Sequence, residues 1–174
     1  MALVGNKCAF APQLRFPEFR NAPEWDAIVL GDEGEFLSSL NGKTGEHFGT
    51  GTAKYITYMN VFANTFTEMN SLGTVDVGDD ESQNAVESGD VLFTVSSETP
   101  DEVGMSSVVI DKVPNCYVNS FCAMFRFALE KRPNPHFVGY SLRQPLVRDH
   151  LSQRAQGSTR SSRSPTSHRS RGTG

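Results

Sequence analysis

A chain of 174 residues is long enough for one domain with a real core. Its hydrophobic content of 37% and mean hydropathy of −0.37 are ordinary for a soluble protein. No apolar run reaches the roughly 18 residues of a membrane helix, and the N-terminus lacks a basic segment followed by a long apolar one, so neither a membrane span nor a secretory signal is expected. The charge is uneven. Residues 1–146 carry 10 Lys/Arg and 19 Asp/Glu, net −9, whereas residues 147–174 carry six Arg and one Asp, net +5. The acidic body argues against strong non-specific DNA binding, because that affinity comes from cations displacing counterions. Three cysteines (Cys8, Cys116, Cys122) are the wrong number for a disulfide framework. No CxxC or HxxxH spacing supports a metal site, so free core thiols in a reducing cytoplasm are expected.

In chain order, Leu14–Phe19 is an aromatic arm, and Pro17 and Pro23 oppose a helix there. Trp25–Leu30 reads as a short strand closed by Gly31-Asp32. Phe36–Leu40 is a short apolar segment of either type. Asn41–Thr52 is glycine-rich and polar and reads as a loop. Lys54–Phe66 begins with the β-branched and aromatic alternation of a strand, and its second half can turn helical. Residues 71–90 are acidic and turn-rich around one β-prone piece, Thr74–Val77. Val91, Leu92, Phe93 and Val95 form a brief strand that enters a core and feeds a polar loop, Ser96-Ser97-Glu98-Thr99-Pro100. Met105–Ile110 predicts a strand, and Tyr117–Phe127 is an aromatic, β-prone run whose one charge is Arg126. Asn134-Pro135 favours a turn. Phe137–Leu151 is helical in parts, with Pro145 in the first turn of a second helix. Residues 158–174 have no large apolar side chain and cannot offset their ordering entropy, so they read as a disordered tail. The fold expected is mixed α/β: a twisted sheet of short strands with a few helices on one side.

Catalytic patterns are incomplete. Gly42-Lys43-Thr44 lacks the glycine that a P-loop needs five residues earlier, where Leu37 stands. Asn134-Pro135-His136-Phe137 faintly resembles an amino-methyltransferase motif, but its second proline is missing and no glycine-rich cofactor loop accompanies it. Neither Asp111-Lys112 nor Glu130-Lys131 has the spacer of a metal-dependent nuclease motif. Asp79-Asp80-Glu81 is either a cation site or, more simply, a solvated loop. The four histidines are dispersed and no G-x-S-x-G accompanies them. No catalytic residue, metal or cofactor is assigned.

Five segments are similar to one family. Gly89–Gly104, GDVLFTVSSETPDEVG, resembles the "GD(I/V)LFT.SSETP" of the DNA specificity subunit of type I restriction–modification systems. Leu14–Phe19 with Trp25 and Leu30-Gly31 looks like the start of such a subunit. Gly42–Phe62 is similar to its "K…FG.G..KYI.Y.NV" element. Asn119-Ser120-Phe121 with Phe125-Arg126 resembles "NSF…FR", and Ala155–Arg160 resembles "A.GSTR". The order and spacing agree over roughly residues 14–160, so the resemblance divides the chain into an extension (1–13), a target recognition domain (14–157) and the Ser/Arg-rich tail (158–174).

The resemblance implies a module that reads one half of a split site on double-stranded DNA and performs no chemistry. Modification subunits, which methylate adenine with S-adenosylmethionine, and a restriction subunit are the implied partners. Lys43 and Lys54 would then contact phosphates, with Thr44 beside them, and Arg160 would clasp another. Thr57, Asn60, Ser96, Ser97 and Glu98 have donors and acceptors for base edges, and Arg126 has the fork that suits guanine. Structural roles stay open for several of these. Ser97 and Thr99 can cap the turn before Pro100, Thr57 and Asn60 can be buried and satisfied, and Arg126 can pair with a carboxylate at the core edge. Where the family continues after GSTR with an apolar stretch, an "IP.P" linker and a long helix, this chain has Ser161–Gly174. The expectation is a truncated subunit, read out of frame from about residue 161; a natural basic tail is the alternative. Two readings from other classes compete: an acidic protein that mimics DNA, and a small stand-alone hydrolase.

Overall fold

The computed structural model describes residues 15–23, 28–96 and 102–155. The proposed disordered tail, the extension, Cys8, Ser97, Glu98, Arg160 and the first part of Trp25–Leu30 lie outside the described residues. The elements are β1 (Gly34–Leu37), β2 (Phe48–Ile56), α1 (Tyr58–Ala63), β3 (Leu72–Val75), β4 (Val91–Thr94), β5 (Ser106–Val108), β6 (Cys116–Val118), β7 (Cys122–Phe127), α2 (Pro135–Leu142) and α3 (Pro145–Ala155). Short 3₁₀ turns include Pro17–Phe19, Leu30–Asp32 and Gly45–His47. The mixed α/β class holds, but the strands form two sheets rather than one, and the helices are not confined to one side.

The first sheet has the order β1-β7-β4-β5, antiparallel throughout. Its central strand β4 is buried at all four positions. Period-two alternation sends Leu92 and its partner Met124 to one face, and Val91 and its partner Phe125 to the other. The Leu92–Met124 face packs on Val61 of α1 and on Ile56, Cys116 and Val118 of the second sheet. The Val91–Phe125 face packs on Val138 of α2, with Phe66 and Leu142 alongside. Covering on both faces explains why Val91–Phe93 is continuously apolar rather than alternating.

The second sheet has the order β3-β2-β6, with β3 antiparallel and β6 parallel to β2. The far edge of β6 is met by loop backbone: Leu40 N donates to Val118 O and Val86 N to Cys116 O, at 3.0 and 2.8 Å. The glycine-rich run expected to be a loop enters β2 at Phe48. Phe48 and Ala53 both pair with Val75, so residues 49–52 bulge out of the ladder. Gly49 and Gly51 hold φ of +82° and +72° there. A Cβ on Gly51 would lie 2.5 Å from the Asp76 Cα, so glycine is required by space as well as by conformation. The glycines thus build a bulged strand instead of a free loop.

The single β-prone run Tyr117–Phe127 is divided into β6 and β7 by a tight turn, in which Cys122 N donates to Asn119 O at 2.9 Å. Leu30, expected in a strand, begins a 3₁₀ turn. Lys54–Phe66 behaves as read, with strand to Ile56 and helix from Tyr58. Asn134 caps α2 by accepting from His136 N and Phe137 N at 2.9 and 3.2 Å, and Pro145 opens α3. Arg143, just after α2, donates to the carbonyls of Val61, Phe62 and Asn64 around the end of α1 and to Ser106 O of β5. A cation on those orphan carbonyls is favoured by the helix dipole. Its partial burial, then the neighbouring Arg148, pulls its pKa down. Cys116 and Cys122 are buried free thiols, raised to about 11 and about 12 chiefly by desolvation. Among the described residues, no helix is long and apolar enough to cross a membrane.

Candidate nucleic-acid interface

Two segments about 75 residues apart flank one shallow cleft of about 360 Å³. On one side are Lys43, Thr44 and Gly45, with the rings of Phe48 and Tyr55; on the other is the turn Asn119-Ser120-Phe121. The Phe48 and Tyr55 rings meet edge-on with centroids 4.9 Å apart. The lining contains one cation and no carboxylate, in a body of net −9. A third segment joins at the Phe121 side, where Val95 N, at the end of β4, donates to Phe121 O at 3.1 Å. Thr94 fixes the stem of the following loop: its buried hydroxyl donates to Glu102 O at 2.7 Å and accepts from Met105 N at 3.0 Å. Ser96 is exposed just beyond. Pieces of three sequence segments, residues 43–48, 95–96 and 119–121, therefore meet on one rim.

The Gly42–Phe48 side is locally ordered. Thr44 N donates to His47 Nδ1 at 3.1 Å, and the Thr44 hydroxyl lies 3.0 Å from Glu46 Oε1 and 2.9 Å from His47 Nδ1. Lys43 Nζ lies 2.5 Å from Glu81 Oε1, and its side chain is 4% exposed. Glu81 also accepts from Gly78 N and Gln83 Nε2, and Gln83 exchanges two hydrogen bonds with the Asn41 backbone. The acidic 78–83 segment is thereby clipped to the loop that holds Lys43. The Lys43 hydrogen bond, then those from Gly78 and Gln83, lower the Glu81 carboxyl to about 2.

The other residues assigned from sequence are dispersed. Tyr55 lines the cleft, so alternation puts Lys54 on the opposite face of β2, half-buried. Thr57 caps α1, accepting from Asn60 N at 3.2 Å. Asn60 is 4% exposed; its amide donates to Glu68 O and Ser71 O, and its Oδ1 accepts from Glu68 N. Thr57 and Asn60 thus use their polar atoms inside the fold, and Asn60 is buried away from any base edge. Arg126 is likewise committed. Nε and Nη2 grip the two Asp90 oxygens at 2.8 and 2.7 Å, Nη1 reaches Glu87 at 3.2 Å, and Nη2 also reaches Ala85 O at 2.9 Å. Asp90 is fully buried. Its hydrogen bonds are the main cause of the raised Arg126 pKa, against a smaller desolvation effect. The guanidinium fork sequence reasoning assigned to guanine is therefore occupied by the buried carboxylate. Arg126 borders a second cleft, of about 560 Å³, whose lining includes Asp32, Glu35 and Glu87 with Arg132. Three carboxylates there would repel a phosphate backbone.

The first cleft adds Asn119, Ser120 and Phe121, which sequence reasoning noticed only as part of a resemblance. An Asn-Ser pair inside an otherwise apolar run was the available signal, since both favour turns. Phe121 is 59% exposed and Val95 53%. Among the described residues, no three His, Cys, Asp or Glu side chains gather as a metal site. Compared with known protein families the chain matches none, and no curated protein matches it.

Proposed function

We propose that this chain is a DNA-reading module of the type I specificity-subunit kind, binding one half-site of a split sequence in the cytoplasm. It directs methyltransferase and restriction subunits and does no chemistry itself. One observation supports this reading: the Lys43–Phe48 and Asn119–Phe121 segments, with Val95-Ser96 beside them, meet at a cleft whose lining residues include no carboxylate, Glu46 of the first segment lying outside that lining, on an otherwise acidic body. Each segment belongs to a different part of the family resemblance, and their meeting gives that resemblance a shared surface. The rim supplies hydroxyls, an amide and exposed apolar side chains, which suit base edges more than phosphates. Affinity for DNA in isolation is accordingly weak, with partner subunits supplying most phosphate contacts.

The net −9 body favours one competing reading, a protein that mimics DNA for the same enzymes. A mobility-shift selection from random duplexes, at low and moderate salt, separates the two. Enrichment of a short defined sequence supports the reader. Absence of any enrichment at either salt refutes it, and degraded duplex would instead indicate an enzyme.

A further inference from the structure

We infer that the Asn119–Phe121 turn reads a thymine, the Asn119 amide donating to thymine O4 while the Phe121 ring covers the C5 methyl; this rests on the DNA-reading interpretation above. The orientation of the amide is decided by the backbone. Phe121 N can only donate, and it does so to Asn119 Oδ1 at 2.9 Å. The oxygen is thus turned inward, and Nδ2 is left as a donor without a partner among the described residues. An asparagine that reads adenine needs both its oxygen and its nitrogen. Here the oxygen is turned toward the Phe121 amide with one lone pair already engaged, so bidentate pairing with adenine is disfavoured, and cytosine offers only a donor where an acceptor is required. Thymine O4, guanine O6/N7 and, by a single bond, adenine N7 remain as acceptors.

The neighbouring ring chooses between them. Phe121 is exposed on the same three-residue turn, and an apolar side chain beside a donor matches the acceptor and methyl of thymine. The turn is also held in advance. Asn119 N donates to Ile56 O at 3.1 Å, Cys122 N to Asn119 O at 2.9 Å, and Val95 N to Phe121 O at 3.1 Å. Little ordering is left to be done on binding. No carboxylate is among the lining residues at this turn; Glu46 accepts from the Thr44 hydroxyl at 3.0 Å on the other segment.

The experiment starts from the duplex selected by the wild-type protein and replaces each thymine in turn by deoxyuridine. At one position, loss of the methyl should weaken wild-type binding by about fourfold. Phe121→Ala should bind both duplexes equally. Asn119→Asp keeps an acceptor for Phe121 N but loses the donor, and should weaken binding about tenfold or more at that same position. If the selected sequence contains no thymine, or no deoxyuridine substitution matters to the wild-type protein, the inference is overturned while the reader stands. The same holds if Phe121→Ala keeps the methyl preference. If no sequence is enriched at all, both fall. The deoxyuridine arm uses unaltered protein, so it does not depend on any variant folding.

Discussion

Replacing Arg126 by Met separates a structural arginine from a base-reading one. The variant leaves Asp90, fully buried, with Glu87 N at 2.7 Å as its one remaining donor among the described residues. Removing one partner of a buried pair typically costs about 3–5 kcal/mol, because an uncompensated charge stays inside. In a chain of this size each kcal/mol shifts the melting temperature by roughly 2–4 °C, so a fall of roughly 6–20 °C is expected. Urea unfolding, followed by far-ultraviolet circular dichroism, measures the loss directly. Adding Asp90→Asn to Arg126→Met should recover part of it, since the stranded charge is gone. Binding to the selected duplex, normalised to folded protein, should be unchanged. A loss of stability below about 1 kcal/mol would refute the argument that the pair is a buried structural clamp. Lost DNA binding in a fully stable Arg126→Met protein would return Arg126 to the reading surface.

Three further outcomes follow from the same geometry. Glu81 has a folded-state pKa below its ordinary 4.5, so its contribution to stability is fully present above about 4.5 and is lost as pH falls through about 2. Carboxyl carbon NMR should show that low midpoint in the wild-type protein and a midpoint nearer 4.5 in Lys43→Met. Gly49→Ala and Gly51→Ala both place a side chain at positive φ, worth about 1–2 kcal/mol. Only Gly51→Ala also collides with the Asp76 backbone, so urea unfolding should show it to be the more destabilised, and equal losses would count against the bulge geometry. Cys116 and Cys122, with pKa values of about 11 and about 12, should resist a thiol reagent at pH 8 until the protein unfolds, as site-resolved mass spectrometry would show.

Much of the secondary structure was legible because its causes are local. Val91–Thr94 is a short β-rich run and Pro145 opens a helix, each within a few residues of its signal, whereas Asn134-Pro135, read as a turn, is the cap and first residue of α2. The bulge in β2 was not legible, because Gly49 and Gly51 acquire their meaning from Val75 and Asp76 across the ladder. The candidate site divides in the same way. Lys43 and Thr44 were chosen from sequence and line the cleft, but the Lys43 ammonium assigned to a phosphate is paired with Glu81 and its side chain is 4% exposed. Asn60 was chosen for its amide, whereas Asn119, with the same chemistry, was not.

By itself, then, the sequence determined the mixed α/β class, the positions of most strands and helices, and the acidic body with its basic end, since these depend on neighbours along the chain and on simple counts. Only the tertiary structure decided that there are two sheets, one containing a parallel pair formed by strands about 60 residues apart. It also decided which polar groups remain available. Asn60 is enclosed by Glu68 and Ser71 and Arg126 by Asp90, while the Asn119 amide has, among the described residues, no acceptor and stands on the same turn as an exposed ring. Burial and hydrogen-bond saturation are properties of packed surroundings, and a residue type carries neither of them until the chain folds.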